Sequence, residues 1–322
     1  MTQVVNGYVS WSSWKSFRIK VISSRDGSKS AKALILFLKS VLRVALLRDP
    51  AENVVIVHLS QGGSFVREGL LLRIARARGF ATIAQLHGSQ FAAYAAKHQA
   101  RVRAVLGAAT RVLVLSAESE QVAQQFVPAS RVRLIPNAVV TGIDRPKRQI
   151  IVFGGSVSHR KGVDVLVEAW RLVGKADWEL VIAGPVKDVD VYDKELPHAI
   201  WLGAIPHQEL MHWLDQAEIA VLPSRDEAMP MFILEAMARG NCVISTRVGG
   251  IPNVLSEGRG VLISPGNVQE LASALIATMN DAGARRAVAE AGQRSHHAAF
   301  SADVIYPQLE SLWSEALCKR DT

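Results

Sequence analysis

The stretch EIAVLPSRDEAMPMFILEAMARGNCVIST, residues 218–246, holds two apolar runs with a helical pattern between them. EIAVLPS (218–224) and CVISTR (242–247) are short, apolar and rich in β-branched residues, as strands buried on both faces are. The segment from about Pro230 to Arg239 has helical spacing. Pro230 suits a first helical turn, where its missing N–H costs nothing. Strand, helix and strand in this order imply a parallel sheet with a covering helix. In such sheets ligands bind at the carboxyl ends of the strands. Glu227 falls on the loop at that edge and Glu235 lies inside the helix. Two readings stand. The pair is a helix start with a capping acid and a chance second Glu, or both acids face one ligand.

The rest of the second half repeats the alternation. QIIVFGG (149–155), WELVIAG (178–184), AIWLGAI (199–205) and GVLIS (260–264) read as strands. GVDVLVEAWRLV (162–173), PHQELMHWLDQA (206–217) and VQELASALIATMN (268–280) read as helices. In the first half FRIKVISS (17–24), NVVIVHLS (53–60), ATIAQLHG (81–88), RVLVLS (111–116) and RVRLIP (131–136) read as strands with helices between them. The boundary is expected at VVTGIDRPKRQ (139–149), a polar stretch with Gly and Pro. The predicted fold class is therefore α/β, with two Rossmann-like doubly wound domains facing a cleft. The chain opens on a helix-like segment, TQVVNGYVSWSSW (2–14), where such a domain normally has its central strand and Gly-rich turn. The N-terminal domain is expected to lack that first strand.

Charge divides at the same boundary. Residues 1–148 carry 22 Lys/Arg against 7 Asp/Glu, a net of +15, and residues 149–322 carry 15 against 22, a net of −7. A basic half points to an anionic partner or to a solvated basic surface. Nothing resembles a helix-turn-helix, a zinc finger or an aromatic RNA platform, so no nucleic acid is expected. A G-x-S-x-G elbow is absent, which weighs against a Ser-His-Asp hydrolase. The two cysteines, Cys242 and Cys318, lack a partner motif and fit a reducing cytoplasm. No long apolar run predicts a spanning helix, and no signal-peptide pattern opens the chain.

In FGGSVSHRKG (153–162) a strand ends in glycines and a basic pair precedes a helix. Glycines allow close backbone approach, and Lys161 at a helix N-terminus makes a phosphate site or an ordinary basic turn. After Glu227, the amides of Met229, Met231 and Phe232 around Pro230 are oriented for an anionic group. Glu235 could accept two hydroxyls, as a ribose diol offers. In GSKSAKALILFLKSVLRVALLR (27–48), Lys32, Lys39 and Arg43 share a helix face with a broad apolar remainder. That helix either lies on an anionic membrane or is a core helix with a solvated basic face.

Taken in order, these segments resemble the GT-B-fold retaining glycosyltransferases of family 4, whose hallmark is E-x7-E. GGSVSHRKGVDVLVEAW, ELVIAGP, IWLGAIPHQELMHWL and IAVLPSRDEAMPMFILEAMARGNCVISTRVGGIPNVL carry the likeness in the second half. LHGSQF (86–91), VLVLSAES (112–119), IPNA (135–138) and FSADVIYPQLESLW (300–313) carry it elsewhere. The resemblance implies an N-terminal acceptor domain (1–145), a nucleotide-sugar domain (146–300) and a C-terminal helix (301–322) crossing back to the first domain. It implies that Glu227 lies beside the transferred sugar and that His87, from the acceptor domain, faces that sugar. Glu235 would bind ribose and Lys161 the diphosphate, with Gly155, Ser156, Met229, Pro230, Met231 and Phe232 around the donor. Gly184 and Ile205 would line the base, and Asn137 matches the linker Asn.

The family's usual Arg after the first strand's glycine is replaced by Ser156 or Gly155, with Arg160 or Arg225 as possible substitutes. The Gly-rich middle of E-x7-E reads AMPM, and Asn253 stands where Glu is common. The expected function is transfer of a sugar from a nucleotide-diphosphate sugar to a lipid-linked or saccharide acceptor, in surface polysaccharide or glycolipid assembly. No cofactor and no essential metal are expected, since no D-x-D lies in a suitable loop. The expected place is the cytoplasm, peripheral at an anionic inner membrane face. The departures leave a second class open, a catalytically silent, membrane-bound protein that serves as a partner for another chain. A GT-B epimerase or phosphorylase is a third reading.

Overall fold

The computed structural model describes residues 2–25, 31–142, 145–174, 177–191, 193 and 195–318. Residues 27–30 of the basic helix, 143–144 of the boundary stretch and 319–322 of the C-terminal segment lie outside the described residues. Contacts divide the chain into residues 1–137 with 305–322, and residues 138–304.

The first unit begins with two helices, α1 (Thr2–Ser10) and α2 (Ala31–Ala45). Then follow β1 (Val54–Leu59), α3 (Gly63–Ala77), β2 (Ala81–Leu86), α4 (Phe91–Lys97), α5 (Gln99–Gly107), β3 (Arg111–Val114), α6 (Ala117–Gln124) and β4 (Val132–Leu134). The four strands are parallel and lie in the order β1-β2-β3-β4. Every residue of β2 and β3 is buried, the polar Thr82, Gln85 and Arg111 among them.

The strand expected at FRIKVISS (17–24) does not form. Residues 17–24 belong to no strand or ladder. Phe17, Ile19 and Ile22 are partly covered while Arg18 and Lys20 are exposed. The alternation is therefore real, but it comes from a chain laid over the surface. Phe17 at its start packs edge-on against Trp313, with ring centroids 5.5 Å apart. Alternation reports one covered side and cannot tell a sheet edge from a segment held by side chains.

The second unit contains β5 (Arg148–Gly154), α7 (Val163–Val173), β6 (Glu179–Ala183), β7 (Ala199–Gly203), α8 (His207–Gln216), β8 (Ala217–Leu222), α9 (Met231–Ala238), β9 (Cys242–Thr246), α10 (Ile251–Leu255), β10 (Val261–Ile263), α11 (Val268–Asn280) and α12 (Ala282–Ala299). A last helix, α13 (Ala302–Cys318), contributes its residues from Ile305 onward to the first unit. The six strands are parallel in the order β10-β9-β8-β5-β6-β7. The winding runs from β5 out to β7, then returns with β8 on the other side of β5. That reversal is the doubly wound Rossmann arrangement, and it opens a crevice between the carboxyl ends of β5 and β8.

Within the first unit, aromatic rings fasten α13 to the N-terminal segment. Trp14 stacks on Tyr306 at 5.1 Å and lies 4.7 Å from Trp313. Its indole N–H donates to the Tyr8 carbonyl at 2.9 Å. Trp11, Trp14 and Phe17 of SWSSWKSF (10–17) are thus packing residues of this unit.

Candidate active site

The crevice between β5 and β8 brings together residues far apart in sequence. After β5, Gly155 and Ser156 lead to a turn in which the Ser158 hydroxyl caps the Lys161 amide. Gly162 closes the turn at φ 72°, and a Cβ there would stand 1.9 Å from the Pro223 carbonyl oxygen. Only glycine lets the two loops meet this closely. After β8 the chain continues through Ser224 to Glu227. The Lys161 ammonium donates directly to Glu227 Oε1. Ser224 Oγ donates to the same oxygen at 3.1 Å, and an Arg160 guanidinium nitrogen lies 3.6 Å from it. The Glu227 and Lys161 side chains are only 10% and 14% exposed, so this pair is shielded from bulk water.

Several contacts fix the Glu227 loop. Thr246 Oγ1 donates to the Ser224 carbonyl at 2.5 Å, and Ser245 Oγ to that of Leu222 at 2.6 Å. The Arg225 amide donates to the Arg160 carbonyl at 2.9 Å, and the Gly250 amide to the Ala228 carbonyl at 2.8 Å. Gly249 approaches so closely that a Cβ would lie 1.6 Å from the Glu227 carbonyl oxygen. The VGGIP segment is therefore a backbone support for this loop.

Pro230 precedes α9, and no side chain caps that helix start. The amides of Met231 and Phe232 are in the first turn, where helix geometry supplies no acceptor. Met229, Pro230 and Phe232 are buried by their side chains, and the Phe232 ring covers Gly154. Glu235 lies one turn further along, 4% exposed. Its Oε1 is 2.8 Å from His207 Nε2. At the neighbouring strand ends, a Cβ on Gly184 would stand 1.7 Å from the Gly155 carbonyl oxygen. Ile205 is half-buried just past β7. The two candidate Arg substitutes differ. Arg225 is held bidentate by Asp164 at 2.7 and 2.6 Å, whereas Arg160 stands at the Glu227 carboxylate. Asp188 and Asp190 both accept from His159, at 2.8 and 2.6 Å.

In the first unit His87 follows β2, and its amide donates to the Leu59 carbonyl at 2.7 Å. Its Nε2 lies 2.9 Å from Nδ1 of His58 on β1, with the rings stacked. Burial pushes the His58 imidazole down to about 4 and holds His87 well below its usual range. Both rings are therefore neutral near pH 7, one donating and the other accepting. Asn137 is buried where the first unit ends.

Ser224, His207 and His58 join the candidate residues Glu227, Glu235 and His87 only in the structure. Ser224 had a weak signal in the PS that closes β8. A single His at a helix start or on a strand carries none.

Residues 148–281 match the model of the group 1 glycosyl transferases. The chain carries a group 1 glycosyltransferase domain. Over 245 residues the chain is 30% identical to a subunit of the phosphatidylinositol N-acetylglucosaminyltransferase of Arabidopsis thaliana, covering 70% of this chain and 54% of that protein. Over 146 residues it is 32% identical to a D-inositol 3-phosphate glycosyltransferase of Paenarthrobacter aurescens, covering 41% and 35%. The matched stretches span from 22% to 54% of these and the other leading curated relatives. Among solved structures, sucrose-phosphate synthase from Thermosynechococcus elongatus superposes with a TM-score of 0.72 at 21% identity, over 89% of this chain and 79% of that one. Anabaena HepE in complex with UDP and glucose gives 0.69 at 18% identity, over 92% and 86%. The fold is thus the GT-B type, and the crevice at β5 and β8 belongs to the glycosyltransferase domain.

Proposed function

We propose that this chain transfers a sugar, with retention of anomeric configuration, from a nucleotide-diphosphate sugar to an acceptor in surface polysaccharide or glycolipid assembly. The observation that carries this reading is the contact of Lys161 with Glu227, made across 66 residues of sequence. An ammonium has three donors. One holds Glu227 beside the sugar, and the others are free in direction for phosphate oxygens. Lys161, Arg160 and the amides of Met231 and Phe232 would stabilise charge developing on the departing diphosphate. Preorganised donors of this kind lower a barrier by about 3 kcal/mol each. They do the work a metal does elsewhere, so the proposed reaction needs none.

Glu235 would take the ribose hydroxyls, with Gly155, Ser156, Met229 and Pro230 around the donor and Gly184 and Ile205 beside the base. Glu227 would position the sugar and stabilise an oxocarbenium-like state, with no covalent glutamate intermediate, and His87 remains the acceptor-domain candidate that the resemblance implies. The tight Glu227 constellation favours an enzyme over a silent partner protein, because a silent protein has no need of it.

The lipid-linked acceptor rests on a second observation. Leu34, Ile35, Leu38, Leu42 and Leu46, on or just past α2, are 51–66% exposed. Phe37, Val41, Val44 and Leu47 face the core instead. Exposed Lys32, Lys39 and Arg43 flank the outer stripe. Among the described residues no helix is long and apolar enough to cross a membrane. An amphipathic face of this kind suits an anionic leaflet at the cytoplasmic side. A relative named for phosphatidylinositol glycosylation supports the same reading.

The test is transfer from a panel of UDP-, GDP- and ADP-sugars to lipid and saccharide acceptors, with and without chelator. Glu227→Ala is expected to cut turnover at least about 100-fold, in line with loss of a preorganised site group. Glu235→Ala should mainly weaken donor binding. Wild-type rates in both variants would sink the assignment, and no binding of any nucleoside diphosphate by calorimetry would favour the silent reading.

A further inference from the structure

We infer that His207 is a positioning residue that holds Glu235 for nucleotide-ribose recognition. This rests on the reading of Glu235 as the ribose acceptor. His207 is the first residue of α8, two positions beyond Ile205, and α8 packs beside α9. Its Nε2 lies 2.8 Å from Glu235 Oε1. An ionised carboxylate only accepts, so Nε2 carries the proton of this bond.

The Glu235 side chain is 5% exposed and the His207 side chain 37%. A nearly buried carboxylate is thus anchored from its solvent side. Glu235 Oε2 has no hydrogen-bond partner among the described residues. His207 takes one lone-pair site of Oε1, leaving the second site there and both sites of Oε2 for ligand hydroxyls. Without the imidazole the carboxylate is free to turn about its last torsion, which is broad for Glu. Ribose specificity would then fall even though Glu235 remains. The residue thus acts on the nucleotide through Glu235.

The test compares nucleotides by calorimetry. UDP, GDP and ADP are titrated first, and the tightest is then compared with its 2′-deoxy analogue. A hydrogen bond to a charged group sets the wild-type preference for the ribonucleotide at ~10-fold to ~100-fold. His207→Gln places an amide nitrogen near the Nε2 position and should keep that preference. His207→Phe keeps a ring without a donor and should reduce the preference to within about threefold, as should Glu235→Ala, once the ~10-fold or larger contribution of a charged hydrogen bond is gone.

Full discrimination in His207→Phe, with loss in Glu235→Ala, would overturn the role of His207 alone. Full discrimination in Glu235→Ala would instead remove the ribose reading itself. A second measurement needs no nucleotide. The Nε2–H proton of His207 should be observable in a ¹H–¹⁵N spectrum of the wild type and lost in Glu235→Ala. Equal exchange broadening in both proteins would show that the bond does not hold in solution, and the inference would fall.

Discussion

At the residue scale, the site is a set of close approaches that few side chains permit. Glu227 and Lys161 were legible because their spacing and neighbours repeat an ordered family pattern. Ser224 and His207 were not, because each acts through one oxygen of a partner dozens of residues away or around a turn. No local pattern encodes such a contact. Gly249 offers a sharp check on the backbone support. It sits at φ 53°, and a Cβ would meet the Glu227 carbonyl at 1.6 Å. Gly249→Ala therefore adds left-handed strain of about 1–2 kcal/mol to a steric clash. The expected outcome is a loss of at least about 2 kcal/mol in urea unfolding, from strain and clash together. Weaker nucleoside-diphosphate binding should accompany it, since the loop carrying Glu227 must move. Unchanged binding would mean that the loop yields without disturbing the carboxylate.

At the element scale, the parallel strands were legible wherever burial on both faces left continuous apolar runs, as in the IIVF of β5 and the CVI of β9. FRIKVISS failed because alternation alone was its evidence, and its one covered side meets side chains instead of a ladder. Helix α2 shows a different limit. Its pattern revealed apolar residues all round a basic strip but could not say which of them face the core. The structure divides them, with Phe37, Val41 and Val44 turned inward and Leu38 and Leu42 outward. Replacing Leu38 and Leu42 together by Ser should leave stability nearly unchanged, because exposed positions contribute within about 0.5 kcal/mol. Co-sedimentation with vesicles containing anionic lipid should fall at least about tenfold. The two side chains would otherwise bury about 1.5–3 kcal/mol each in the interface. Equal vesicle binding by variant and wild type would remove α2 as the docking face.

At the scale of the whole molecule, the division of charge between the two halves was readable from composition, and the doubly wound order was readable only as a class. Which strand ends meet follows from the reversal at β5 and β8, a long-range fact. A second whole-chain property, acid sensitivity, follows from enclosed histidines that the sequence does not distinguish from the rest. His296 on α12 is fully buried, and neither ring nitrogen has a hydrogen-bond partner among the described residues. Burial, then the neighbouring His297 and the Arg239 charge, push its pKa from 6.5 to about 4, while the Val139 backbone acts in the opposite direction. Between those values the unfolded chain binds a proton that the folded chain refuses, so stability is full above 6.5 and falls as pH drops toward 4. For His296 the loss amounts to about 3 kcal/mol. His58 and His87 act in the same direction. His159 acts oppositely, its pKa raised chiefly by its hydrogen bond to Asp190, but it is exposed and contributes little. Carboxylates held low, such as Asp164 and Glu270, matter only below about 4.5, so the histidine window stands apart. His296→Leu puts an apolar side chain of similar size in the same enclosed place. It should leave stability at pH 8 within about 1.5 kcal/mol of the wild type, as a core replacement of similar size does. Urea titrations from pH 8 to pH 4 should then show an acid loss smaller than the wild type's by about 3 kcal/mol. Parallel curves for the two proteins would mean that His296 protonates in the folded state and is not the source of the acid loss.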